Sequence, residues 1–218
     1  MSDPKSPSPF PVGEFLPNGG KYRTDPPLPP TDATIGYKLN HLMLRIRDPE
    51  ASLNFYVNLM GLRTIFTMNT GPFTIYYLGY PQTPEDRADI QAWGEKTCGV
   101  LPHTLGLLEL YHIHGSENQP EGYYSTGNDA PHLGFGQVGF TIPDVKSALE
   151  RLKAAGVRVL KDLGVSTRES IPLSSYEAEK GVGRGEIHAG YSRILDQIAF
   201  VADPDGYLVE LVPQNIEN

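Results

Sequence analysis

Residues 39–46 alternate along an extended strand, with His41, Met43 and Arg45 on one face and Leu42, Leu44 and Ile46 on the other. Asp48 follows as a residue suited to cap a helix N-terminus, and Pro49 suits a first helical position. An amphipathic helix comes next, and Gly61 can end it. The same order recurs later in the chain. Segment 40–63 aligns with 136–158 at a shift of 96, which pairs His41 with Gln137, Leu44 with Phe140, Asp48 with Asp144 and Leu53 with Leu149. A one-residue gap then pairs Gly61 with Gly156 and Arg63 with Arg158. Further strand-like stretches follow each helix: Phe73–Leu78 and Gly106–His112 in the first copy, Arg193–Ala202 and Tyr207–Val212 in the second. The pattern predicts an α+β protein built from two βαβββ modules.

The interruptions set the domain limits. Residues 1–35 are rich in Pro and Gly and read as an N-terminal arm; 36–113 form the first module, 114–134 a polar linker and 135–218 the second module. Within the first module, 80–104 reads as a loop with a short helix around Ile90–Glu95. The insertion 163–192 in the second module is long and weakly periodic, which suggests a lid.

Composition narrows the function. The content of 39% apolar and 20% charged residues is that of a globular protein. A formal net charge of −8 gives no basic surface to attract nucleic acid, so a small-molecule substrate is expected. No apolar run reaches the eighteen or so residues needed to span a bilayer, and no membrane role is expected. The single cysteine, Cys98, forms no internal disulfide, which fits a reducing cytoplasm.

The candidate chemistry comes from the repeat. His41 and Gln137 open equivalent strands, and the last strand of each module encloses one glutamate among apolar residues: Glu109 in LLELY and Glu210 in YLVELV. A lone glutamate there would simply face water. Two in equivalent positions, each with a nitrogen- or oxygen-bearing partner, suggest a divalent metal site with ligands His41, Glu109, Gln137 and Glu210. One imidazole, two carboxylates and an amide oxygen suit zinc, nickel, cobalt or iron, with zinc expected first. None of His103, His112, His114, His132 and His188 is expected as a ligand, and the loop histidines His103, His132 and His188 read as ordinary solvated side chains.

MLRIRDPEASLNFY, LELYH, GFGQVGFTIPDV and FVADPDGYLVELV together resemble glyoxalase I of the vicinal oxygen chelate superfamily, over about Lys38–Pro213. The resemblance implies paired βαβββ modules forming a cupped mixed sheet, with metal ligands at the positions of His41, Glu109, Gln137 and Glu210. It implies a lyase that isomerises the hemithioacetal of methylglyoxal and glutathione to S-lactoylglutathione. A glutamate would remove the carbon-bound proton, with Glu210 the usual candidate and Glu109 opposite, and an enediolate would be reprotonated at the neighbouring carbon. Animal glyoxalase I carries Gln at the first ligand position and His at the third; here the two are exchanged. Arg45 matches the family arginine for the glutamyl end of glutathione, whereas Ile113, Leu133 and Asp196 stand where the resemblance would place an asparagine, an arginine and a lysine. Arg193, beside Arg168 and Arg184, offers a replacement charge. These losses make a second substrate class competitive, a small oxygenated compound used without glutathione in secondary metabolism. Ring-cleaving dioxygenases of the same fold usually need two histidines and a carboxylate, against which Gln137 argues. A metal-free binding protein would not need both glutamates. A homodimer is expected from the resemblance.

Overall fold

The computed structural model of the protein describes residues 8–23, 25–170 and 175–216. The chain divides into two compact units. The first unit runs from Ala33 to Tyr124 and takes in the turn Asp203–Gly206; the second comprises the arm up to Asp32, Ser125–Ala202 and the chain from Tyr207 onward. The described arm residues up to Asp32 are therefore part of the second unit, Ala33–Ile35 belong to the first, and the expected linker is divided between the two.

In the first unit, β1 (His41–Ile46) leads into α1 (Pro49–Leu53), then β2 (Arg63–Asn69), β3 (Phe73–Gly79), α2 (Pro84–Ala88), α3 (Ile90–Gly99) and β4 (Leu107–Ile113). The sheet order is β1-β4-β3-β2, with β1 parallel to β4 and the other pairs antiparallel. The second unit opens with a small hairpin, β5 (Asn128–Asp129) and β6 (His132–Leu133). There follow β7 (Gln137–Ile142), α4 (Val145–Ala154), β8 (Val159–Lys161), α5 (Ser175–Glu179), α6 (Ala189–Asp196), β9 (Ala199–Ala202) and β10 (Leu208–Pro213). Its sheet order, β7-β10-β9-β8, repeats the first, again with the outer first strand parallel to the last. The expected pair of βαβββ modules is present.

Local chemistry explains the matching corners. The Asp48 carboxylate accepts from the backbone N–H of Glu50 at 2.9 Å, and the Asp144 carboxylate from that of Ser147 at 3.0 Å, so both helices start on a capping aspartate. Gly61 and Gly156 have φ of +86° and +80°, the left-handed conformation that glycine adopts without a Cβ penalty. Between those landmarks the copies differ. α1 continues as a π-helical stretch, Asn54–Leu59, in which the Met60 N–H reaches the Phe55 carbonyl at 2.8 Å. A π turn holds one residue more than an α turn, and this is the residue that the sequence repeat skips between Leu53 and Gly61. The stretch buries Phe55 and Tyr56, and the Tyr56 hydroxyl donates to Asp203 at 2.8 Å. The Arg47 N–H donates to the Asp205 carboxylate at 3.0 Å, fixing the Asp203–Gly206 turn at the start of this helix. Burial raises the proton affinity of Asp205, and the Arg47 N–H pulls it back.

Each sheet has one helix laid on the glutamate-bearing face. In the first unit Trp93 of α3 packs with Ile65 and Leu107; in the second, Leu195 of α6 packs with Ile198 and Phe200, with Ile194 and Leu208 alongside. The strand expected over Arg193–Ala202 is thus half helix: α6 ends at Asp196, and only Ala199–Ala202 is extended. Tyr191, Ile194, Leu195 and Ile198 recur at three- and four-residue spacing, and this helical period prevails over the apolar run. The buried Lys161 amine donates to the Leu195 carbonyl at 2.6 Å and to the Ile198 carbonyl, closing the C-terminal end of α6. Burial lowers its pKa, partly offset by the charges of Asp196 and Asp162.

Candidate functional site

Strand alternation and register place the four expected ligands in two equivalent pairs. In the first unit Glu109 lies opposite Met43 across the parallel β1–β4 ladder, two residues along the same face from His41. The His41 Nε2 is 3.4 Å from the Glu109 carboxylate. In the second unit Glu210 lies opposite Gly139, again two residues from Gln137 on one face, and the Gln137 amide donates to Glu210 at 2.7 Å. The first residue of each module's first strand therefore meets the third residue of its last strand.

The surroundings of the pairs differ. Tyr77 lies opposite Glu109 across β3–β4. Its ring stacks on Phe66 at 4.7 Å and meets the His41 ring edge-on at 5.4 Å. Burial raises the Tyr77 pKa, reinforced by the Glu109 charge. In the second unit burial raises the proton affinity of Glu210, and the Gln137 hydrogen bond partly offsets it. Tyr191 of α6 feels the Glu210 charge; its pKa is raised mainly by burial. A Cβ added at Gly139 would stand 3.2 Å from the Glu210 carboxylate, so the absent side chain leaves room for the acid to lie across the sheet.

The other expected residues separate clearly. Arg45 is exposed on the His41 face, opposite Tyr111, whose ring stacks on Phe73 at 4.2 Å. Arg193 is exposed on α6. Arg168 donates to the carbonyls of Gly185, at 2.9 Å, and Gly183, tying the insertion together. Leu133 and Arg168 line a cavity of about 940 Å³ in the second unit, with Asn128, Phe135, Glu177 and Leu208. Leu208 shares its face with Glu210, so this cavity adjoins the acid's face of the sheet. The insertion expected as a lid carries α5 and α6; its residues 171–174 lie outside the described residues.

Three of the remaining histidines have structural partners, where solvated side chains were expected of those in loops. His112 bonds Glu117 at 2.9 Å, His114 bonds Thr74 at 2.8 Å, and the His188 ring caps α6 by accepting from the Gly190 N–H at 3.1 Å. Among the described residues no three His, Cys, Asp or Glu side chains gather as a metal cage; the donors lie as the two pairs. Imidazole nitrogen, carboxylate oxygens and an amide fit a borderline divalent ion. Sequence reasoning missed Tyr77, Tyr191 and Asn40. Alternation along FTIYYL would have put Tyr77 on one face, but only the sheet order shows that this face is the one bearing Glu109.

Residues 38–211 match the model of the Glyoxalase/Bleomycin resistance protein/Dioxygenase superfamily. The chain is 31% identical over 189 residues to the lactoylglutathione lyase of Pseudomonas aeruginosa, covering 86% of this chain and 88% of that one. It is likewise 31% identical to the Pseudomonas putida lactoylglutathione lyase, covering 83% of this chain and 87% of the relative. The glyoxalase I of Saccharomyces cerevisiae is 31% identical over 84% of this chain, which spans 45% of the yeast protein. Among solved structures, the trypanothione-dependent glyoxalase I of Leishmania major overlays at a TM-score of 0.49 and 19% identity, covering 82% of this chain and 88% of that one. The chain belongs to the Glyoxalase/Bleomycin resistance protein/Dioxygenase superfamily.

Proposed function

We propose that the chain is a glyoxalase I-type, metal-dependent lyase that isomerises the hemithioacetal of methylglyoxal and a thiol to the lactoyl thioester. The observation that carries this reading is the repeated pair, His41 with Glu109 and Gln137 with Glu210, at identical strand positions. Relatives named lactoylglutathione lyase over most of both chains support it. The reaction needs no oxidant: the carbon bearing sulfur loses a proton and the adjacent carbonyl carbon gains one.

Glu210 is the residue we assign to the first transfer. Its partly desolvated carboxylate favours accepting a proton, and Gln137 holds one oxygen in place. Glu109, with Tyr77 opposite it across the sheet, is the second carboxylate available to the reaction. His41, Glu109, Gln137 and Glu210 would hold the divalent ion, with zinc our first assignment and nickel, cobalt or iron the alternatives. That ion supplies positive charge where negative charge develops on the substrate oxygens. Our reading also places the protein in a reducing cytoplasm, in keeping with its single cysteine, and as a homodimer, in keeping with the family resemblance.

Glutathione is the first thiol to test. A different small substrate is the second reading, favoured by one observation: the apolar Leu133 lines the cavity where the resemblance would place an arginine. A missing charged hydrogen bond to a carboxylate costs roughly 1.5–3 kcal/mol, enough to weaken glutathione binding strongly. The test is ultraviolet thioester absorbance from metal-reconstituted protein with methylglyoxal and glutathione. Thioester formation that is lost in Glu210→Gln supports the first reading. Metal bound at full occupancy without turnover overturns glutathione as the substrate, and failure to bind any divalent metal overturns the enzyme reading.

A further inference from the structure

Asn40 stands immediately before His41, and its side chain links two parts of the first unit. Its amide nitrogen donates to the Leu101 carbonyl at 2.8 Å and to the Thr104 carbonyl. These carbonyls belong to the first residue of the short 3-10 turn Leu101–His103 and to Thr104 just after it, on the way into β4. A flipped amide would point its oxygen at both carbonyl oxygens, so the network sets the orientation: nitrogen toward the turn, oxygen away from it. That oxygen lies 2.8 Å from His41 Nδ1. An amide oxygen accepts and cannot donate, so His41 Nδ1 must carry the hydrogen.

The consequence falls on the other ring nitrogen. In a neutral imidazole with the proton on Nδ1, Nε2 presents a lone pair, and here it faces the Glu109 carboxylate at 3.4 Å. Two acceptors then face each other with no hydrogen between them. The opposite tautomer would satisfy Glu109 with an Nε2–H donor and would close the position to a cation. We infer that Asn40 is a positioning residue that holds His41 as the Nδ1–H tautomer, keeping Nε2 open toward Glu109 for a divalent ion. Resting on the metal-dependent reading above, this inference adds the device that keeps the metal-free pair, while the ring is neutral, from satisfying itself. Partners that orient a ligating histidine through its second nitrogen typically change metal affinity by roughly 10–100-fold when removed.

The test compares the native protein with Asn40→Ala and Asn40→Asp. Nitrogen-15 chemical shifts of the His41 ring in metal-free protein, at a pH where the ring is neutral, report the tautomer. Competition with a chromophoric chelator reports zinc affinity, and thermal unfolding reports the turn. Asn40→Asp keeps an acceptor for Nδ1–H but loses both donors to the turn; Asn40→Ala loses both functions. The expected result is an Nδ1–H ring in the native protein and in Asn40→Asp, a shift toward Nε2–H in Asn40→Ala, and a roughly 10–100-fold loss of zinc affinity in Asn40→Ala alone. An unchanged tautomer and affinity in Asn40→Ala, or equal losses in both variants, would reduce Asn40 to a staple for the turn and overturn the inference. A native protein that binds no zinc defeats the metal reading instead, while its His41 tautomer still decides the claim about Asn40.

Discussion

The two pairs of site residues are built alike and kept differently. In the second unit an amide donates to Glu210 at 2.7 Å, so the pair is internally satisfied and the acid is held in a partly desolvated place. In the first unit His41 stands 3.4 Å from Glu109 with its hydrogen directed to Asn40. One half is suited to hold a base; the other is suited to hold a cation. Duplication supplied equal positions, and the residues around them supplied unequal tasks: Gly139 against Met43 across the ladder, and Tyr77 from a strand against Tyr191 from a covering helix.

The sharpest way to break this comparison is to exchange the acids for amides one at a time. Glu210→Gln is expected to lower kcat by roughly 10²–10⁴-fold, the usual share of a general base. Glu109→Gln should cost less in kcat and more in metal affinity; equal effects measured by thioester absorbance would erase the proposed asymmetry. Next comes the donor pair. His41→Ala should weaken zinc binding by more than the roughly 10–100-fold typical of residues that only orient a ligand, and Gln137→Ala by less than His41→Ala, as chelator competition would show. Gly139→Ala places a methyl 3.2 Å from the Glu210 carboxylate and should destabilise the protein by about 1 kcal/mol, with a slower reaction, read by calorimetry and rate together. Arg193→Ala should be the smallest, with KM and stability changed by no more than about 0.5 kcal/mol, because this exposed side chain leaves the packed face of α6.

The two residue pairs were legible because period-two alternation is a local property and the repeat fixed which residues correspond. His41, Gln137, Glu109 and Glu210 were grouped from the sequence repeat alone, without any tertiary contact. The one-residue gap was legible as a number, but its form as a π turn depends on Tyr56 reaching Asp203, 147 positions away. Arg193–Ala202 misled because its apolar residues fit both a strand and a helix, and contact with Phe200 and Leu208 selects the helix up to Asp196. Asn40 carried no local signal at all. Its meaning comes from carbonyls 61 and 64 residues away, which fix an amide that then fixes its neighbour.

The most direct measurement is a zinc titration of chelator-stripped protein, followed simultaneously by bound metal and by thioester formation from methylglyoxal and glutathione. The account predicts no turnover without metal, and activity that rises to a plateau at one ion per chain. Full turnover in the stripped protein, or a second equivalent bound per chain before activity appears, would contradict it.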